Sequence, residues 1–487
     1  MKVLRNVLYN FSYQILAIIL PLITTPYVSR VLGPQGVGEY NFTNAAVSYF
    51  VLIGNFGLAT YGNREIAYFQ DDIKKRSSVF WSVFLIRFIF MCSVYLLFLI
   101  WLIYINRERF FLIYIFQSFG IIASAIDVSW FFMGMENFKV TVIRNAFVKI
   151  MSFIAVLTMV RTSSDTWIYT LIISASILFG NITMVPVLKK YISFVSLREL
   201  LFKKPIIDSF WLFLPTVAVS LYVSLNKTLV GLFDSIKDAG FYSQSDSLVK
   251  LLLTLSMALG SAMMPHISYL FHKNKIEEIQ HNIQKSFHLM TLLSFAMCFG
   301  MISIAKVFVP FFYGLRFEKV ADLLVIESFV IILISWSNVI GVQYLIPSNQ
   351  IKHYTASVTI GSCLNILLNL FVIPLFKVNG AMAATVISEA SVTAYQLLVV
   401  RKQLILKELF KELWKPFFSG MTMLSFILLI NNFFISSLRP FFLIITDVIF
   451  GAIIYFLINF FFKESSTMFL INKVNIFSKK YFKNYRH

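Results

Sequence analysis

Residues 7–59 read VLYNFSYQILAIILPLITTPYVSRVL, then GPQG at 33–36, then VGEYNFTNAAVSYFVLIGNFGLA. Two long apolar runs flank a short Gly/Pro turn. A bilayer core about 30 Å thick is crossed by roughly 20 apolar residues at 1.5 Å per residue, and each run is long enough. The pair therefore reads as two membrane-spanning helices joined by a tight turn. The first run does not fit a cleaved signal peptide. It is too long, Pro21 and Pro26 interrupt it, and Ser29-Arg30-Val31 offers no small-residue cleavage site.

Outward from this stretch the pattern repeats. Fourteen runs of comparable character follow one another, at 7–32, 37–59, 79–103, 110–133, 145–160, 167–188, 209–233, 247–270, 286–311, 321–346, 354–373, 380–400, 416–434 and 441–462. The composition agrees: of 487 residues, 58% are hydrophobic and 13% charged, with 53 Phe and a mean hydropathy of +0.78. Soluble domains run near 45–50% apolar and about 25% charged. Too little charge is present to coat a water-facing surface, which argues against a soluble enzyme, a nucleic-acid binder or a disordered tail. Cys92, Cys298 and Cys363 all lie in apolar runs and read as small hydrophobes, not disulfides or metal ligands.

The net charge of +19 invites a polyanion partner, so the placement of the cations decides. With the N-terminus inside, the inner segments are the N-terminus, 60–78, 134–149, 189–208, 271–285, 347–353, 401–415 and the tail after 462. They hold 29 of the 42 Lys and Arg, and the outer loops are short and nearly balanced. This is the positive-inside bias of a multi-pass membrane protein with both termini cytoplasmic. The excess charge is topological, and nucleic acid is not expected as a partner.

Connections are too short to hide a soluble domain. The segments 401–415 and 463–487 mix Lys and Arg with Phe, Leu and Ile at roughly helical spacing. They suit helices lying on the cytoplasmic face, the plainer alternative being solvated loops. A faint repeat pairs Tyr27-Val28-Ser29 with Tyr222-Val223-Ser224, and Val37-Gly38-Glu39-Tyr40 with Ala239-Gly240-Phe241-Tyr242. Each copy sits between the first two spans of a block of six. The expected organisation is an N-lobe at 1–205, a C-lobe at 206–400, and two further helices with basic linker and tail at 401–487. The two repeats would be parallel.

No phosphate-loop motif is present, and the six histidines show no paired ligand spacing, so no cofactor or metal is expected. What remains is charge inside the spans, where an ionisable group costs at least about 2.5–3.5 kcal/mol and therefore faces a partner or a wet cavity. Glu389 is the tenth of 21 residues in its run; a cavity role or a protonated packing role both fit it. Arg87 lies about 12 Å and Lys227, after Asn226, about 9 Å from the nearer ends of their spans; either stem is long enough to snorkel. Asp246 and Lys250 are spaced for a local salt bridge. Arg30, Arg64, Glu65 and Asp127 suit anchors near the interfaces. Pro21, Pro26 and Pro215 bend the first span of each block, a feature that suits a rocking transporter and that a static channel could also contain.

The stretch from Pro21 to Tyr40 resembles the N-terminal signature of bacterial polysaccharide flippases, the Wzx-like branch of the multidrug/oligosaccharidyl-lipid/polysaccharide exporter superfamily. Leu214-Pro215-Thr216-Val217, Tyr222 to Lys227 and Gly240 to Ser243 are similar to its seventh-helix region, and Gly380 to Glu389 to its twelfth helix. The resemblance implies an all-α polytopic fold of 14 transmembrane helices, with two pseudo-symmetric six-helix lobes around a central cavity and two C-terminal helices. It implies a flippase, not an enzyme, in the bacterial cytoplasmic membrane. The cargo would be undecaprenyl-diphosphate-linked oligosaccharide moved outward by alternating access for capsule, O-antigen or exopolysaccharide assembly, with a polysaccharide polymerase among the partners. Arg30 and Lys227 match the cationic cavity residues of the family, with Arg64 and Arg87 as further diphosphate ligands. Glu389 and the Asp246–Lys250 pair would tune or couple the cavity. Members often carry an acidic residue where this chain has Asn226. The rival readings are a drug/cation antiporter of the same superfamily and a membrane-embedded glycosyltransferase or polymerase.

Overall fold

Gly33 breaks the first helix. α1 (Lys2–Asn55) is helical on both sides of Gly33, which sits at φ 68° and ψ 179°. A side chain disfavours that backbone region, and glycine enters it without strain. Pro34 opens the next helical stretch, where its fixed φ fits and its missing N–H is no loss. The Gly-Pro turn is thus a joint between helical segments 2–32 and 34–55. The computed structural model describes residues 2–105, 110–434 and 439–473, and the regular structure among them is helical throughout.

The chain divides into two compact units, Met1–Gly240 and Phe241–His487. In the first, α1 is followed by α2 (Leu58–Tyr68), α3 (Ile73–Ile105), α4 (Phe111–Ala125), α5 (Ser129–Gly134), α6 (Phe138–Met159), α7 (Thr166–Leu188) and α8 (Lys203–Phe233). α8, which the sequence reading assigns to the C-lobe, packs against α1 and α2 within this unit. α9 (Ile236–His272) leads into the second unit. There follow α10 (Ile276–Tyr313), α11 (Lys319–Glu327) and α12 (Phe329–Ser337), with a π-helical stretch Asn338–Leu345 after it. α13 (Ile351–Val400), α14 (Leu406–Phe410), α15 (Trp414–Phe434) and α16 (Pro440–Phe461) complete the unit.

Among the described residues ten helices are long and apolar enough to cross a bilayer, or eleven if the bent pair 19–55 with Leu58–Tyr68 is one span. This is fewer than the fourteen apolar runs, in part because single elements carry two runs. α13 holds both 354–373 and 380–400 and is broken at Lys377, at φ 56° and ψ −144°. The run 209–233 lies in α8, where the side chains of 214, 215, 218, 219 and 221–223 are outside the described residues, Pro215 and Tyr222 among them. The basic tail is helical over 465–473, and 474–487 lie outside the described residues. Within 401–415, Arg401, Lys402, Gln403, Ile405 and Lys407 are exposed. α14 is short, and Leu404 and Leu409 are buried in the core of the second unit.

Helix α16 shows why these helices belong in lipid. Leu443, Asp447, Gly451, Tyr455 and Asn459 recur at four-residue spacing and are buried. Phe442, Ile445, Val448, Ile449, Ile453 and Phe460 face outward. In water the apolar face would turn inward; here the polar and small residues do. Cys298 is buried as expected, whereas Cys92 and Cys363 are exposed.

Close packing replaces the hydrophobic drive between such helices. In the first unit Phe80 stacks on Trp130 with ring centres 5.6 Å apart, and Phe131 and Phe132 pack beside them. Trp130 fits because Gly62 of α2 leaves room: a Cβ there would lie 2.5 Å from Trp130 Cε3. A second close approach involves the two repeat-related glycines. A Cβ on Gly38 would collide with the Ile236 carbonyl oxygen, and one on Gly240 with the Pro34 carbonyl oxygen. The second unit has its own aromatic core, with Phe287 stacked 5.6 Å from Trp336 and Tyr455 donating to the Leu292 carbonyl at 2.7 Å.

Candidate functional site

Thr216, Ser220 and Ser224 recur at every fourth residue of α8 and so share a face. Ser48, Tyr49 and Asn55 from the second segment of α1, with Thr60 from α2, complete a cavity of about 430 Å³. Val51, Leu52, Ala59 and Phe213 supply its apolar wall. The Ser48 hydroxyl donates to Ser224 Oγ at 3.4 Å, and the Tyr49 hydroxyl lies 3.0 Å from Thr228 Oγ1. Among the described residues Asn55 Oδ1 is buried without a hydrogen-bond partner, an acceptor held open. Hydroxyl and amide groups at this density, beside an apolar wall, suit a polyhydroxylated ligand.

Arg64 and Lys227 lie about one turn beyond cavity-lining residues Thr60 and Ser224 on the same helices. Arg64 of α2 reaches Glu65 Oε1 at 3.2 Å and Asp208 Oδ2 of α8 at 3.8 Å, and its side chain remains 43% exposed. Lys227 is partly exposed less than one helical turn beyond Ser224, next to the buried Asn226. Arg30 is exposed near the end of the first segment of α1. α2 and α8 thus carry Arg64 and Lys227 as well as cavity lining, whereas Arg30 precedes the Gly33 break, before the cavity-lining segment of α1.

Arg87 belongs to a different cluster and neither snorkels nor faces the cavity. Its side chain is 3% exposed. Nη1 donates to the Asp127 carbonyl at 2.8 Å, and Nη2 lies 3.6 Å from Asp127 Oδ2. Asp127, read as an interfacial anchor, sits in the break between α4 and α5. It accepts from the Ser129 amide and hydroxyl at 3.0 Å each and faces Arg144 at 3.9 Å. The physical reason is that a buried guanidinium needs a fixed acceptor. The broken helix supplies both a carboxylate and a carbonyl freed from the ladder.

In the second unit Lys250 Nζ bonds Asp246 Oδ2 at 2.8 Å, the local pair the spacing predicts. Around it, Ser245 donates to Glu327 and the Tyr313 hydroxyl to the Gln244 carbonyl. Glu389 is buried on α13, one turn after Thr385, whose hydroxyl lies 3.4 Å from that of Tyr242. Sequence reasoning passed over Glu327 and Asp447, both 1% exposed. Asp447 borders a cavity of about 210 Å³ with Ser303 and Tyr455. It also passed over the hydroxyl face of α8, whose four-residue period was visible. Among the described residues no group of His, Cys, Asp and Glu could hold a metal ion.

Apolar faces turned outward and buried ionisable groups within a helical unit mark a polytopic membrane protein. Residues 3–271 match the family model described as polysaccharide biosynthesis protein, and the chain belongs to that family. It is 27% identical over 406 residues to the "Putative O-antigen transporter" of Escherichia coli (strain K12), covering 82% of this chain and 97% of that one. Over 169 residues, 35% of this chain and 36% of the other, it is 26% identical to the "Probable low-salt glycan biosynthesis flippase Agl15" of Haloferax volcanii. Its fold is similar to that of "Lipid II flippase MurJ, inward closed conformation", with a TM-score of 0.75 at 14% identity, over 94% of this chain and 99% of that one. The Wzx-like resemblance is thereby upheld, and the chain is a multi-pass protein of the bacterial inner membrane.

Proposed function

We propose that this chain moves undecaprenyl-diphosphate-linked oligosaccharide units from the inner to the outer leaflet by alternating access, for O-antigen, capsule or related polysaccharide assembly. The observation that carries the reading is the hydroxyl-lined cavity of the first unit with Arg64 and Lys227 on its own helices. Sugar hydroxyls find donors and acceptors there, and a diphosphate entering a low-dielectric site requires fixed cations. Arg30, Arg64 and Lys227 would hold the diphosphate, with Asn226 beside them; Asp246, Lys250 and Glu389 would tune the charge of the second lobe. Arg87 enters as a strut through Asp127. Fourteen spans with both termini cytoplasmic are supported by the breaks at Gly33 and Lys377, each halving a helix too long for one crossing, and by the charge bias.

The test is complementation of a strain deleted for its own flippase. Wild-type protein is expected to restore surface polymer and clear the lipid-linked repeat unit that accumulates on the inner leaflet. Arg30→Ala and Lys227→Ala, confirmed as inserted, are expected to lower export at least tenfold. Full export by both variants would overturn the diphosphate assignment. Drug resistance in an overexpressing strain without polymer rescue would favour the antiporter reading instead.

A further inference from the structure

A cavity of about 400 Å³ lies within the second unit, between α9, α10 and the helical segment 465–473. Its chemistry is divided. Leu259, Met263, Leu289 and Met290 form an apolar floor, and Lys285 and Lys473 stand at the rim. Lys285 Nζ is 5.7 Å and Lys473 Nζ 4.9 Å from the centre of one Phe469 ring. Among the described residues neither ammonium makes an ion pair. Nearby carboxylates are spent elsewhere: Glu278 on Lys275, Glu412 on Lys415, and Glu464 on the Ser466 and Thr467 amides.

Two ammonium groups gathered on one ring repel each other, and the ring's π face offsets only part of that. An anion between them removes the repulsion. The floor adds a second requirement, because inorganic phosphate alone would leave four apolar side chains uncovered. An amphiphile with an anionic head and a hydrocarbon chain satisfies both. We infer that this cavity binds an anionic glycerophospholipid of the inner leaflet, its phosphodiester between Lys285 and Lys473 and an acyl chain on the Leu259–Met290 floor. The leaflet follows from the cytoplasmic placement of 271–285 and the tail proposed above. The site itself does not depend on which cargo the protein carries.

The experiment is native mass spectrometry of the purified full-length protein titrated with phosphatidylglycerol and, separately, phosphatidylcholine. Wild type is expected to retain phosphatidylglycerol preferentially. Lys285→Gln with Lys473→Gln is expected to weaken that retention about 25-fold, roughly fivefold per lysine, while the double arginine variant keeps it. Met263→Trp, which fills the floor and leaves both lysines, is expected to lose retention as well. Equal retention of phosphatidylglycerol by wild type and the double glutamine variant would overturn the site. Displacement by equimolar inorganic phosphate would overturn the lipid assignment. Competition by undecaprenyl diphosphate tenfold better than by phosphatidylglycerol would hand the site to the carrier lipid. Retention is read without transport, so failure here and failure of the flippase reading are separate results.

Discussion

Replacing Arg87 with Met separates a structural cation from the ligand cations. The guanidinium bonds the Asp127 carbonyl at 2.8 Å and faces its carboxylate at 3.6 Å. Breaking a buried ion pair outright costs about 3–5 kcal/mol. The full cost is not reached here, because Asp127 keeps Arg144 at 3.9 Å and the two Ser129 bonds. Arg87 Nε is also buried without a partner, a desolvation cost that the variant removes. The expected net loss is about 2 kcal/mol, most of it from the lost charge-assisted bond, since the Asp127 carbonyl keeps the Trp130 indole N–H at 3.2 Å. For a unit of this size that is a fall of about 4–8 °C in melting temperature. Thermal unfolding in detergent measures it, together with polymer export normalised to inserted protein. Export per inserted molecule is expected to stay near wild type. An unchanged melting temperature with export abolished would refute the strut and return Arg87 to the substrate.

Four further outcomes follow from local geometry. Gly62→Val pushes a side chain into Trp130 and Val83 and is expected to destabilise by about 1–3 kcal/mol; a melting temperature equal to wild type would refute that packing. Lys377→Gly releases a positive-φ residue and is expected to stabilise by about 1 kcal/mol, read in the same melt. Ser220→Leu fills the hydroxyl cavity and is expected to cut export at least tenfold with the melting temperature unchanged. Asp165 accepts the Arg161 and Thr162 amides, which hold its carboxyl below the usual value of 3.8. Its stabilisation is present above the unfolded carboxylate pKa and is lost as pH falls through the folded one. Amide exchange at Arg161 and Thr162 in wild type should therefore converge on that of Asp165→Asn only below about pH 4.

Span existence was legible because hydropathy is a local property. The runs 286–311 and 441–462 match α10 and α16 with ends within a few residues of those found, apart from the N-terminal extension of α10. Partners were not legible. Arg87 looked able to snorkel because its acceptor lies 40 residues away, at a helix break that no hydropathy window marks. α2 was read as an inner loop because its pattern is amphipathic and short; it is a helix because Gly62 lets it sit against Trp130. The α8 hydroxyl face was visible as a period of four. Its meaning needed Ser48 and Asn55, which only helix pairing brings opposite it.

The two short matches at Gly38 and Gly240 meet in the structure. Gly38 and Gly240 occupy equivalent places in the two copies, and each forbids a side chain for the same reason. Pro34 stands four residues before Gly38 and Ile236 four before Gly240, one helical turn in both. The contact is therefore unchanged when the copies are exchanged: each glycine meets the carbonyl one turn ahead of the other. A single backbone crossing constrains both positions, so the two glycines are one requirement written twice. The reciprocity belongs to the crossing itself and is the same whichever way the two copies run. It also explains why the turn beginning at Gly33 has to deliver Gly38 with so little freedom.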